Sequence, residues 1–218
     1  MSGGVSIRWK LTQCTPPRDG PEPGSVPGQP RPSDLPSARF SDRITLVIFC
    51  HMIVFDSSTL ILIAKIELIS PFLASVELPV AIPTQVEREC CGAKKTLDAL
   101  MIQKAIEESR IQVVAVKNRK LISRLQGDFS LGKGEAEALA LAMKQKAQLL
   151  GIDDKNGINA AKLLGIPFTT AVGILVRSRE KGLFNEGVAL AKLTALAEYG
   201  RYKHSIVEDA RRKMEARK

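Results

Sequence analysis

Residues 52–59 read MIVFDSST, and the fold of the chain follows from them. Met52, Ile53, Val54 and Phe55 form a short apolar run with β-branched and aromatic character. It stops at Asp56 and the small polar residues Ser57, Ser58 and Thr59. Such a run, closed by a turn signal, predicts a buried strand. In an open parallel α/β sheet, ligands gather in the crevice beyond the carboxyl ends of the strands. An acid one residue past a buried strand is aimed at that crevice. Ser57 or Ser58 then caps a helix running through Leu60, Ile61, Leu62 and Ala64. The plainer alternative makes Asp56 itself a helix cap and nothing more.

Outward from this stretch, strand-like and helical segments alternate. Pro79–Ile82, Ile111–Val116, Gln148–Ile152 and Pro167–Thr170 read as further strands. Helical periodicity falls on the segment opened by Pro83-Thr84, on 95–109, 118–126 and the run GKGEAEALALAMKQKA, and on 155–164, 171–181, 186–197 and 205–217. Gly127, Gly132 and Gly134 are assigned to a loop. Strands alternating with helices predict a parallel, doubly wound sheet.

Residues 1–43 read differently from the rest. Eight of the twelve prolines lie between Pro16 and Pro36, and hydrophobic periodicity is absent there. Such a segment buries too little surface to offset the entropy of ordering it. Met52 stands at the first residue of the key strand, so the expected organisation is a disordered or mis-assigned N-terminal extension, 1–51, followed by a domain over 52–218.

Composition narrows the class of function. A net charge of +9 and a pI near 9.5 favour a polyanionic partner. Aromatic residues make up only 5%, so a base-stacking platform is not indicated. Cys14, Cys50, Cys90 and Cys91 lack metal-site spacing, and His51 and His204 are the only histidines. A histidine-based zinc site or a Ser-His-Asp triad is thereby disfavoured. Free thiols fit a reducing cytoplasm. No run approaches the ~20 apolar residues needed to span a bilayer, so no membrane association is expected.

The acids carry the chemistry. A strand precedes Asp56, another precedes Asp153-Asp154, and Glu89 and Glu135 sit on helices after a strand or a glycine loop. Carboxylates meeting in one crevice repel unless cations are present. Hard oxygen ligands of this kind suit Mg²⁺ or Mn²⁺. Glu137 lies roughly 200° around the helix from Glu135 and cannot share its target. Each acid also has an ordinary reading. Glu89 can be a solvated helix carboxylate, Glu135 a first-turn dipole partner, and Asp153 or Asp154 a cap.

The combination IVFDSSTLI, IPTQVEREC, LGKGEAEALALA and LLGIDDKNGINAAKLLGIPF resembles the PIN-domain nucleases over residues 52–182, and more loosely over 183–218. TTAVGILVRSREKGL resembles a toxin-like prokaryotic subgroup (VapC-like). The resemblance implies a three-layer α/β/α sandwich around a parallel sheet and a metal-dependent endoribonuclease. It implies Asp56, Glu89, Glu135 and Asp154 as catalytic metal ligands, with Asp153 and Ser58 supporting them. Glu89 matches better than Glu87 because it stands third after Val86. One departure is Ile152, where the family usually has threonine two residues before the last acid.

The expected function is thus Mg²⁺- or Mn²⁺-dependent hydrolysis of RNA by the toxin of a toxin–antitoxin pair, with an antitoxin protein as partner. A non-catalytic RNA-binding or scaffold protein of the same fold is the alternative. A phosphotransferase using Asp56 as nucleophile would want a second Asp where Ser58 stands. A homodimer is also expected, because a single sheet face has little room for Ile174, Leu175, Leu190, Leu193 and Leu196.

Overall fold

The computed structural model describes residues 52–92 and 96–216. The expected N-terminal extension, 1–51, lies outside the described residues. Five strands form one sheet: β1 (Ile53–Phe55), β2 (Val80–Pro83), β3 (Ile111–Val114), β4 (Leu149–Gly151) and β5 (Phe168–Thr169). Their order is β3-β2-β1-β4-β5, and every pairing is parallel. Ten helices flank the sheet among the described residues. They are α1 (Ser57–Lys65), α2 (Ile69–Ser75), α3 (Thr84–Cys91), α4 (Leu97–Glu107), α5 (Arg119–Phe129), α6 (Lys133–Gln145), α7 (Lys155–Leu163), α8 (Ala171–Glu180), α9 (Glu186–Gly200) and α10 (His204–Glu215). This is the parallel, doubly wound sheet that the strand–helix alternation predicts, in the three-layer α/β/α sandwich that the resemblance implies.

Alternation along β1 builds two cores at once. Side chains of a strand point to opposite faces in turn. Ile53 and Phe55 enter a core with α1–α4 and α8–α10, while Met52 and Val54 enter a second core with α5–α7. In the first core the Phe55 ring meets Phe72 of α2 edge to face at 5.7 Å. Such a pair is worth about 1 kcal/mol beyond its buried area. Leu139 and Leu141 of α6, with Leu150 of β4, anchor the second core. Both faces of β1 are therefore dry, which explains a strand without polar residues.

The strand order reverses between β1 and β4. From β3, on one side of β1, the chain crosses to β4 on the other. A crevice opens at such a switch point, outside the carboxyl ends of the two strands. Asp56 follows β1 and Asp153-Asp154 follow β4, and a hydrogen bond from Asp56 N–H to Gly151 O (3.0 Å) locks the two strand ends together.

Several local expectations need correction. The helix α2 has no counterpart in the sequence reading, because ISPFLAS is short and carries a proline in its first turn. Gly127 lies inside α5, whose end is Ser130 in the left-handed conformation at φ 53°. Ile174, Leu175, Leu193 and Leu196 are buried within the chain, and Leu190 packs against the first core. They are satisfied by α8–α10 packing on each other and on α1, so they do not themselves call for a second copy. No single helix among the described residues is long and apolar enough to cross a membrane.

Candidate active site

Asp56 is fully buried at the end of β1. Its Oδ1 accepts from the Thr59 N–H (2.8 Å) and its Oδ2 from the Ser58 hydroxyl (2.6 Å). Asp56 is therefore the N-cap of α1, and neither Ser57 nor Ser58 caps it. Capping does not account for the depth of the site, since caps work as well at the surface. Burial pushes the Asp56 carboxyl up from 3.8 to about 7, against the Ser58 and Thr59 hydrogen bonds that favour the ionised form. The Asp153 charge adds to the rise.

The two serines divide the work. Ser58 bonds to Asp56, whereas Ser57 donates to Glu89 Oε2 at 2.6 Å. Glu89 Oε1 accepts from Gln85 Nε2, one helical turn earlier on α3 (3.1 Å). The same carboxylate lies directly against Gly134. A Cβ at that position would overlap both carboxylate oxygens, so only glycine lets α3 and α6 bring their acids this close. Glu87 faces elsewhere, into a cleft lined with Arg88, Cys91 and Gln103.

Glu135 stands at the third position of α6, and its Oε2 accepts from Gly132 N–H (2.8 Å), the half of a capping box that a glycine N-cap allows. Burial raises its carboxyl, and the charges of Asp154 and Glu89 raise it further. Glu137 is buried and receives the Gln85 N–H at 3.3 Å, so it serves the start of α3 and stays out of the crevice. Asp154 caps α7, its Oδ1 accepting from Asn156 N–H (2.7 Å) and Gly157 N–H (2.9 Å).

Asp153 lies deeper than its supporting rank in the sequence reading implies. Its Oδ2 accepts from Ala171 N–H (2.7 Å) at the start of α8, and its Oδ1 accepts from the Tyr202 hydroxyl. Burial raises its carboxyl too. Thr59 is fully buried beside both Asp56 and Asp153, close enough to favour their ionised forms. Its hydroxyl nevertheless makes no hydrogen bond of good geometry.

The structure thus gathers the expected acids in two sets. The Asp153 charge acts on the buried Asp56, and the charges of Asp154 and Glu89 act on the half-buried Glu135. Among the described residues, no three His, Cys, Asp or Glu side chains stand in ready ion-binding geometry. Both oxygens of Asp56, Glu89 and Asp153 are turned to protein donors instead. No described Lys or Arg pairs with Asp56, Glu135, Asp153 or Asp154. An all-oxygen donor set in which Asp56, Glu135, Asp153 and Asp154 have no described Lys or Arg partner fits a hard divalent cation.

Ser57, Thr59, Gly134 and Tyr202 were not singled out by the sequence reading. Ser57 and Thr59 flank Ser58 in the quoted stretch, so adjacency could have flagged them. Gly134 reads as a loop residue until Glu89 is seen against it. Tyr202 lies 49 residues beyond Asp153 with no local pattern to connect them. Ile152, in place of the usual threonine, is fully buried in the second core with its Cδ1 toward Gly157 of α7. A hydroxyl there would face apolar surroundings.

An all-parallel doubly wound sheet with acids at its switch point places the chain in the class of open-sheet α/β proteins. Within that class, the family model described as DUF3368, a PIN domain, matches residues 52–216, and the chain belongs to that family. PIN domains are generally nucleases, hydrolases that act on nucleic acids, and typically use divalent metals. Comparison with curated proteins gave no match.

Proposed function

We propose that the chain is a divalent-metal-dependent endoribonuclease, the toxin component of a toxin–antitoxin pair, working in the cytoplasm. The observation that carries the nuclease reading is the placement of five acids around the joined ends of β1 and β4, with Asp56 buried, Asp153 half-buried and neither paired with a described Lys or Arg. Asp56, Glu89, Glu135, Asp153 and Asp154 would hold Mg²⁺ or Mn²⁺, with Ser58 supporting. When bound, one or two such ions activate water and offset charge on the phosphodiester.

This chain's own residues do the rest. Ser58 and the Thr59 N–H fix the plane of Asp56, and Ser57 and Gln85 fix Glu89. Gly134 lets the first turn of α6 approach Glu89, so that two helices deliver acids to one place. The exposed Lys133 and Lys155 adjoin Glu135 and Asp154 in the chain and would attract the RNA backbone, as the overall +9 charge would. The toxin assignment, the antitoxin partner and a homodimer are supported by resemblance to the toxin-like subgroup.

The test is cleavage of cellular RNA by the purified chain. Activity should vanish with chelator and return with added Mg²⁺ or Mn²⁺. Cleavage indifferent to chelator would refute metal dependence, and RNA bound but never cut would favour a binding protein of the same fold.

A further inference from the structure

The C-terminal helices contribute a side chain to the crevice. α9 ends at Gly200, Arg201 turns the chain in the left-handed conformation at φ 49°, and α10 begins at His204. Tyr202, in that turn, donates its hydroxyl to Asp153 Oδ1. The ring reaches this position by folding back over Gly200, where a Cβ would fall inside the ring. Asp153 Oδ2 is held from the other side by the Ala171 N–H (2.7 Å). With one donor on each oxygen, from different elements, the carboxylate cannot rotate out of the crevice.

We infer that Tyr202 is a positioning residue for the ion-binding site, setting the orientation of Asp153 beside Asp56. The inference rests on the divalent-ion reading above. It makes α9 and α10 part of the site's construction. The pair is firmly seated, with Leu193, Leu196, Ala210 and Met214 buried in the first core. The tether from the helix turn to Asp153 therefore has a rigid base. A partner that a ligating carboxylate gains outside the ion's own shell fixes its orientation and tunes its affinity.

The test is a calorimetric Mn²⁺ titration of the full chain and two variants. Tyr202→Phe keeps the ring and removes the hydroxyl. Gly200→Ala keeps the hydroxyl and displaces the ring, at a helical position that accepts alanine. The expected result is Mn²⁺ affinity about tenfold weaker in Tyr202→Phe, weaker also in Gly200→Ala, and a melting temperature of Tyr202→Phe near that of the parent. In an Asp153→Asn background, Tyr202→Phe should change Mn²⁺ affinity no further. A purely structural Tyr202 would lower the melting temperature and leave affinity per folded molecule unchanged, which would overturn the inference alone. A parent chain that takes up no Mn²⁺ would overturn the divalent-ion reading and this inference with it.

Discussion

Asp56→Asn should reduce RNA cleavage by at least ~100-fold while the fold persists, because losing an acid of the first rank exceeds the ~10–100-fold typical of an outer partner. The substitution is nearly isosteric. Asparagine caps a helix about as well as aspartate, so the Thr59 N–H keeps its acceptor and α1 its first turn. The Ser58 hydroxyl can reverse and accept from the new amide. What disappears is one negative charge at the deepest point of the crevice. If Asp56 were only a cap, cleavage would be nearly unchanged. If it holds the ion, added Mg²⁺ or Mn²⁺ will rescue a chelated parent chain and will not rescue the variant. Equal rates for the two chains on the same RNA would refute the role assigned to Asp56.

The same substitution should stabilise the chelated protein, and the gain should depend on pH. Asp56 rises from 3.8 to about 7 on folding, chiefly through burial. Below pH 4 the group is protonated in both the folded and unfolded chain and costs nothing. Between about 4 and 7 the unfolded chain releases the proton and the folded chain keeps it. Folding therefore loses stability as pH rises through that window, and the loss is complete above about 7. Its full size is on the order of 4 kcal/mol. Asparagine does not titrate, so the stability advantage of Asp56→Asn should grow from near zero at pH 4 to several kcal/mol at pH 8. Asp153 and Glu135 are raised in the same direction, but they are common to both chains. Urea unfolding of the two chelated proteins at several pH values measures the gap. An advantage that is flat with pH, or a less stable variant at pH 8, would contradict the burial argument.

Much of the fold is legible because it rests on local pattern. β1 reads as a buried strand from MIVF alone, and the alternation of strands with helices leaves a parallel sheet as the simplest arrangement. α2 is not legible, because a seven-residue helix is held by packing of Phe72 and Leu73 more than by propensity. The limits of α5 depend on where Ser130 turns left-handed, which the sequence around Gly127 does not signal. At the site, acids placed just after strands announce themselves through topology. Asp56 and Asp153-Asp154 stand out that way and Glu135 by its glycine loop, whereas the choice of Glu89 over Glu87 rests on the resemblance to PIN-domain nucleases. The ranking within Asp153-Asp154 depends on which oxygens meet Ala171, Tyr202, Asn156 and Gly157. Tertiary contacts of that kind leave no trace in spacing. The cap readings of Asp56, Glu135 and Asp154 prove compatible with site placement, since each residue caps its helix and also borders the crevice.

The most direct test of a divalent-ion centre needs no RNA. Mn²⁺ would be titrated calorimetrically into the chelated and dialysed chain near pH 7, in two buffers of different ionisation enthalpy, alongside Asp56→Asn. The account predicts saturable binding by the parent chain with release of protons, because the Asp56 carboxyl is still partly protonated there. It predicts that the variant loses that affinity. Absence of Mn²⁺ binding by the parent, or the same affinity in Asp56→Asn, would contradict it.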